Sequence, residues 1–246
     1  MVKKLVGYLT PKVPDCAFTI DLANALFEAG MDSLELGMPF SDPIADGVVI
    51  ETAGEIAIGN GFVFDDLATI ARALTGRDIM FMGYTNTFYR RGFERVAKEA
   101  RSLGISAALI PDLPHEEAAA YKPIFAAQQI ALIEFVAPTT PSDRIASIVA
   151  EADKFIYLVA YAGITGATQE ENLRFALNAI KAHSSTPVYV GFGVSRNTAR
   201  KRSEGADGVI VGSAFVKTLI DKSVSPKEKI RKITEEARII KDVINS

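Results

Sequence analysis

Glu35 and Asp46 are the residues whose types and spacing point to chemistry, and both fall in the stretch SLELGMPFSDPIADGVVIE, Ser33 to Glu51. Residues Ser33 to Gly37 alternate as a short strand does, so Leu34 and Leu36 share one face and Glu35 takes the other. A carboxylate inside a strand is costly unless it has a partner or a task. Gly37, Pro39, Ser41, Asp42 and Pro43 then end regular structure, in a loop whose tip presents Asp42 to solvent or to a partner. Asp46-Gly47 brings a second carboxylate to the mouth of the same strand. Two acids in unlike surroundings can divide into a proton donor and an ionised acceptor. Asp46 also stands just before Val48-Val49-Ile50, which can open a helix, so capping is an equal reading for that residue alone.

Glycine turns near the end of the chain suggest an anion site. Gly163-Ile-Thr-Gly166, Gly191-Phe-Gly193-Val-Ser195 and Gly212-Ser213-Ala214 each follow a short apolar run. Glycines let backbone N–H groups approach an anion, and a helix starting behind Gly212-Ser213 adds aligned donors and a positive dipole end. Any one such turn is most often only a turn; their succession is what indicates a phosphate cradle. No G-x-x-x-x-G-K-[ST] loop and no early G-x-G-x-x-G occur, which argues against nucleotide hydrolysis and a dinucleotide site. His115 follows Pro114 at a helix start and His183 ends a helix, so both read as surface or capping residues, leaving acid–base work to carboxylates. No metal site is expected, and the lone Cys16 reads as a buried thiol.

The elements that must position these groups are short apolar runs, each followed by a helical pattern. The runs are 5–10, 33–37, 79–84, 107–111, 130–136, 155–160, 188–191 and 208–212. Helices are expected at 17–29, 65–74, 92–103 and 116–128, then after Ser142 as a cap, then to His183, at 197–204, at 214–220 and from Pro226. An extra short helix, Val48 to Gly59, follows the second run. Eight such units at this length fit an α/β fold, a closed (β/α)8 TIM barrel, as a single domain over 1–246, better than an open doubly wound sheet. Active groups then belong at the C-terminal ends of the strands. Glu35, the Asp46 loop, Tyr84, Asn86, Asp112, Tyr157, Gly191 to Ser195 and Gly212-Ser213 all meet that demand. A formal charge of −3 with dispersed Lys and Arg carries no footprint for nucleic acid or an anionic membrane, and no segment is long enough to span one. A soluble, cytoplasmic protein is expected.

LELGMPFSDPIADG, YLVAYAGITGA, VGFGVS and DGVIVGSAFVK, in this order and spacing, resemble the tryptophan synthase alpha subunit family over essentially the whole chain. The resemblance implies a lyase of tryptophan biosynthesis that cleaves indole-3-glycerol phosphate to indole and glyceraldehyde 3-phosphate. It makes Glu35 and Asp46 the catalytic pair, and Gly166, Gly193, Gly212 and Ser213 the phosphate ligands. It places Tyr8, Met82, Leu109, Val136, Tyr157, Thr165, Phe192 and Ile210 in the substrate pocket. It implies no cofactor on this chain. It further implies an alpha2beta2 tetramer with a beta subunit that carries pyridoxal phosphate, docked near Pro39, Asp42, Pro43 and Asn86. Three departures stand out: Val48 where the family usually has proline, Lys12 in place of a small residue, and Glu134 where an apolar residue is usual. A salt-bridged structural role is expected for Glu134. Two other classes share parts of this pattern. One is another phosphosugar barrel, such as an isomerase or an indole-glycerol-phosphate synthase, although no catalytic lysine is evident at a strand end. The other is a non-catalytic barrel that binds a phosphate ligand and regulates a partner.

Overall fold

The computed structural model describes residues 2–160 and 168–246. Its first half runs β1 (Lys4–Leu9), α1 (Cys16–Glu28), β2 (Ser33–Gly37), α2 (Val48–Gly59), α3 (Phe64–Ala73), β3 (Ile79–Met82), α4 (Thr85–Arg91), α5 (Phe93–Ser102), β4 (Ile105–Leu109), α6 (His115–Ala118) and α7 (Lys122–Ala126). The second runs β5 (Ala131–Leu132), β6 (Glu134–Val136), α8 (Ser142–Ala150), β7 (Ile156–Val159), α9 (Thr168–His183), β8 (Val188–Gly191), α10 (Ala199–Arg202), β9 (Gly208–Val211), α11 (Ser213–Ile220) and α12 (Pro226–Asn245).

All the strand pairings are parallel, in the order β5-β4-β3-β2-β1-β9-β8-β7-β6. The two ends of that order are consecutive pieces of one stave, parted at Ile133, whose N–H reaches Ala108 O at 3.0 Å. The sheet therefore closes as the expected (β/α)8 barrel. Parallel strands alternate between two apolar layers. Val6, Met80, Ala107, Leu109, Ile133, Phe155, Tyr157 and Ile210 fill the interior, while Leu5, Leu9, Leu34, Leu36, Phe81 and Val209 pack outward under the helices.

Several boundaries differ from the sequence reading for identifiable reasons. The expected helix over 116–128 is two pieces, α6 and α7. Pro123 cannot donate an N–H back to the preceding turn, so the helix is broken and restarts at Lys122 with the proline in its first turn. Ser142 is the first residue of α8 rather than its cap; Pro141 holds the cap position and no side chain bonds there. The segment after β3, where no helix is expected from the sequence, holds the helix α4, which stops at Gly92 with φ 88°. Its first turn is held from the next stave, because Asp112 accepts from Thr85 N at 2.7 Å and from Thr85 Oγ1 at 2.9 Å. Cys16 is half-exposed, and its thiol donates to Asp66 Oδ1 at 3.3 Å.

Glu134 and His115 find each other. Glu134 lies on the outer face of β6, 5 % exposed. It meets His115 Nδ1 at 3.0 Å and Lys122 Nζ at 2.5 Å, so it is salt-bridged as expected. His115 is accordingly a partner of a buried acid, not a surface or capping residue; the signal for it lay in the apolar positions around Glu134, which left that acid only the helix layer in which to pair. His183 ends α9 and is exposed.

Candidate active site

Glu35 projects inward from β2, between Leu34 and Leu36, which pack outward. It is 2 % exposed, and its Oε1 has no hydrogen-bond partner among the described residues. Burial, and then the charge of Asp46, push its carboxyl up to about 8, so near neutral pH it holds a proton. Asp46 reaches the same mouth from the loop. The helix behind it is capped at Gly47 with no side-chain bond, which removes capping as the role of Asp46. Burial raises the Asp46 carboxyl above its ordinary value; a hydrogen bond from Tyr84 opposes that rise and the charge of Glu51 adds to it. Tyr84 also accepts from Ala45 N at 3.1 Å and stacks on Phe40 at 5.4 Å, so the third stave steadies the acid loop.

Three phenols surround the pair. Burial and then Asp46 raise the hydroxyls of Tyr8 and Tyr84; burial and then Glu35 raise that of Tyr157. All three therefore stay protonated as donors. Two of them lie over glycines: a Cβ on Gly37 would stand 2.2 Å from Tyr8 Oη, and one on Gly191 would stand 2.2 Å from Tyr157 Oη. These staves end in glycine because a neighbour's ring occupies the space.

Met82, Leu109, Tyr157, Phe192 and Ile210 line the interior, and Tyr8 joins Val49, Ile50, Ala53 and Val216 above it. Val136 does not belong with them. It faces outward among Ile145, Ile148 and Leu158, because alternation through Ile133 turns Phe135 inward instead. Phe135 stacks on Tyr157 at 4.8 Å and is a pocket residue the sequence reading missed.

Of the glycine turns, Phe192 and Gly193 take successive left-handed conformations, φ 69° and 67°. Thr198 Oγ1 closes this turn on Gly193 O at 2.7 Å. Gly212 precedes α11 with no side-chain cap, and Phe215 N and Val216 N turn back to Gly212 O, so the amides of Ser213 and Ala214 are the ones the helix start leaves open among the described residues. Gly166 and Thr165 lie outside the described residues.

Two open clefts, of about 540 and 560 Å³, are lined by neither acid. The second brings Pro39 and Asn86 together with Phe40, Phe62, Phe64 and Arg90. Asp42 and Pro43 lie outside it, and Asp42 is exposed. No group of three or more His, Cys, Asp or Glu suited to a metal occurs among the described residues, and no described helix is long and apolar enough to cross a membrane.

A (β/α)8 barrel with paired carboxyls at its C-terminal mouth is the class these features define. Residues 2–245 match the family model described as tryptophan synthase alpha chain. A tryptophan synthase alpha chain from Wolinella succinogenes is 48 % identical, covering 100 % of this chain and 97 % of that one. Another, from Chloroflexus aggregans, is 40 % identical over 95 % and 90 %. Among solved structures, tryptophan synthase subunit alpha from Campylobacter jejuni superposes with a TM-score of 0.86 at 33 % identity, covering 96 % of each chain. Tryptophan synthase from M. tuberculosis gives 0.88 at 29 % identity, over 99 % of this chain and 94 % of that one. The chain belongs to the tryptophan synthase alpha chain family.

Proposed function

We propose that this chain cleaves indole-3-glycerol phosphate to indole and glyceraldehyde 3-phosphate by a reversible retro-aldol reaction. The observation that carries this reading is Glu35, an inward carboxyl whose Oε1 has no partner among the described residues and whose value is near 8, facing a mouth that Asp46 shares. Retro-aldol cleavage requires protonation of indole C3, removal of the proton from the adjacent glycerol hydroxyl, and stabilisation of positive charge on the ring nitrogen. Glu35, protonated in the resting site, gives its proton to C3; as the carbon–carbon bond breaks, its carboxylate takes the hydroxyl proton and is restored. Asp46, ionised, accepts the indole N–H as charge develops there. Main-chain amides at Gly193, Gly212 and Ser213, with Gly166, hold the phosphate, and Tyr8, Met82, Leu109, Phe135, Tyr157, Phe192 and Ile210 enclose the ring. These steps use only side chains and amides of this chain.

The test is release of indole from indole-3-glycerol phosphate. Glu35→Gln should abolish it while leaving affinity for a phosphate ligand within a few-fold, and Asp46→Asn should reduce it steeply. Unchanged turnover in Glu35→Gln would refute the assignment.

The partner follows from the same family. A beta subunit carrying pyridoxal phosphate docks at the rim formed by Pro39, Asp42, Pro43 and Asn86, in an alpha2beta2 assembly that receives the indole. The cleft shared by Pro39 and Asn86, lined by half-buried phenylalanines and exposed arginines, supports this placement. Co-elution with a pyridoxal-dependent beta subunit, accompanied by faster indole release, checks it.

A further inference from the structure

Lys12 sits in the exit loop of β1 with φ 61°, in the left-handed region that a residue with a Cβ occupies only when its surroundings hold it there. Its ammonium donates to Gly61 O at 2.8 Å and to Asp66 Oδ2 at 2.8 Å. Asn60 Nδ2 returns two bonds, to Lys12 O and Pro14 O, both at 3.0 Å. Lys12 N donates to Thr19 Oγ1 at 3.0 Å, which fixes the loop to α1. Asp66 Oδ2 also accepts from Val63 N, and its other oxygen, Oδ1, accepts from the Cys16 thiol. Lys12 and Asp66 are both mostly covered, at 21 % and 16 % side-chain exposure, so solvent screens their ion pair less than an exposed one.

This cluster grips one end of α2. Asn60 and Gly61 are the residues directly after that helix, and Asp46 lies just ahead of its first residue, Val48. The same strand grips the helix nearer its front, where Tyr8 packs against Val49, Ile50 and Ala53. Ile50 also stands against Gly212, 3.3 Å from where a Cβ on that glycine would sit. The exit of β1 thus holds α2 at two points, an apolar pivot near Ile50 and a polar tie behind Gly59. Helical rise puts the tie roughly 15 Å behind the pivot and the first helical residue, Val48, roughly 3 Å ahead of it, with Asp46 a further two non-helical residues on. Freeing the rear by roughly 2 Å swings Asp46 by roughly 1 Å while the pivot at Gly212 stays put.

We propose that Lys12 is a positioning residue for Asp46, acting through α2, so that the loop after the first strand sets the place of an acid borne by the second. This rests on the acid-pair reading of the site. Glu35, fixed within β2, is independent of the tie.

The test turns on Lys12→Gly, which accepts the left-handed backbone without strain while losing the ammonium. Thermal stability should stay within a few degrees of wild type, while kcat for indole release falls about ten-fold and affinity for glycerol 3-phosphate stays within two-fold. Amides of residues 48–60 should exchange faster with deuterated water than in wild type. Asp66→Asn should give the same loss of kcat, the double variant no more than either alone, and Lys12→Arg should restore most of it. Unchanged kcat in Lys12→Gly of an active wild type, or unchanged exchange in 48–60, overturns the proposal. A wild-type chain that releases no indole defeats the reaction instead, and the exchange of 48–60 then decides whether the tie holds α2.

Discussion

A carboxyl that is 2 % exposed, with an oxygen that no described residue partners, weakens the fold that carries it, and the weakening depends on pH. The Glu35 value rises from 4.5 to about 8 on folding, through burial first and the charge of Asp46 second. Between those values the unfolded chain releases a proton that the folded chain keeps, so stability falls as pH rises from about 4.5 to about 8 and is level above that. The full penalty is on the order of 5 kcal/mol at most. Glu35→Gln, which cannot ionise, should therefore melt above wild type, by a margin that grows from pH 5 to pH 8, even as it loses activity. Calorimetry of the two proteins across that range checks it, and a margin that shrinks with pH would contradict the burial of an ionisable Glu35. In the active enzyme, kcat/KM should decline above about pH 8, as Glu35 loses the proton intended for indole C3.

At the scale of elements, the mouth depends on staves that end in glycine beneath a neighbour's ring. Gly37→Ala would drive a methyl to within 2.2 Å of Tyr8 Oη and 2.5 Å of its ring carbons. It should cost about 1–3 kcal/mol and lower turnover, because Tyr8 is displaced from its place in the pocket. Adding Tyr8→Leu to Gly37→Ala should recover stability in a denaturant titration but not turnover. Much of this was legible in the sequence: β2, α2 and β8 fall where alternation and turn residues put them, since strong period and clear breakers coincide there. The acid pair was legible for a similar reason, a carboxylate in an otherwise apolar strand. What escaped depended on contacts between distant segments. α4 is held by Asp112 from another stave, and Phe135 was missed because one apolar run, Ile130 to Val136, conceals which of its residues turn inward. The tie at Lys12 joins segments 49 and 54 residues apart, a pairing that no local pattern encodes.

Across the whole molecule, the two ends of the barrel divide the labour between chemistry and stability. At the N-terminal end, Asp78 accepts from Ser33 Oγ at 2.6 Å and Ser106 Oγ at 2.5 Å, and Lys154 Nζ lies 3.0 Å from both its oxygens. Burial alone would raise the Asp78 carboxyl; these bonds outweigh it and hold the value below the ordinary one. A depressed value stabilises the fold above the ordinary carboxylate range and is lost as pH falls through the folded value. Lys154→Met should remove about 2 kcal/mol, shift acid unfolding to higher pH, and leave kcat of the folded protein unchanged. Acid titrations followed by circular dichroism, with kcat measured at neutral pH, check it. The fifth stave raises a different matter, that of seating. It is split at Ile133, and with no unbroken ladder to fix its phase it could settle one place out of step. Glu134 forbids this: advancing by one residue would thrust a charge among Tyr157 and Phe155 and strand Phe135 beside Lys122. An acid that touches no reactant thereby works as a ratchet tooth, admitting the stave in one orientation and so delivering Phe135 to the ring it stacks against.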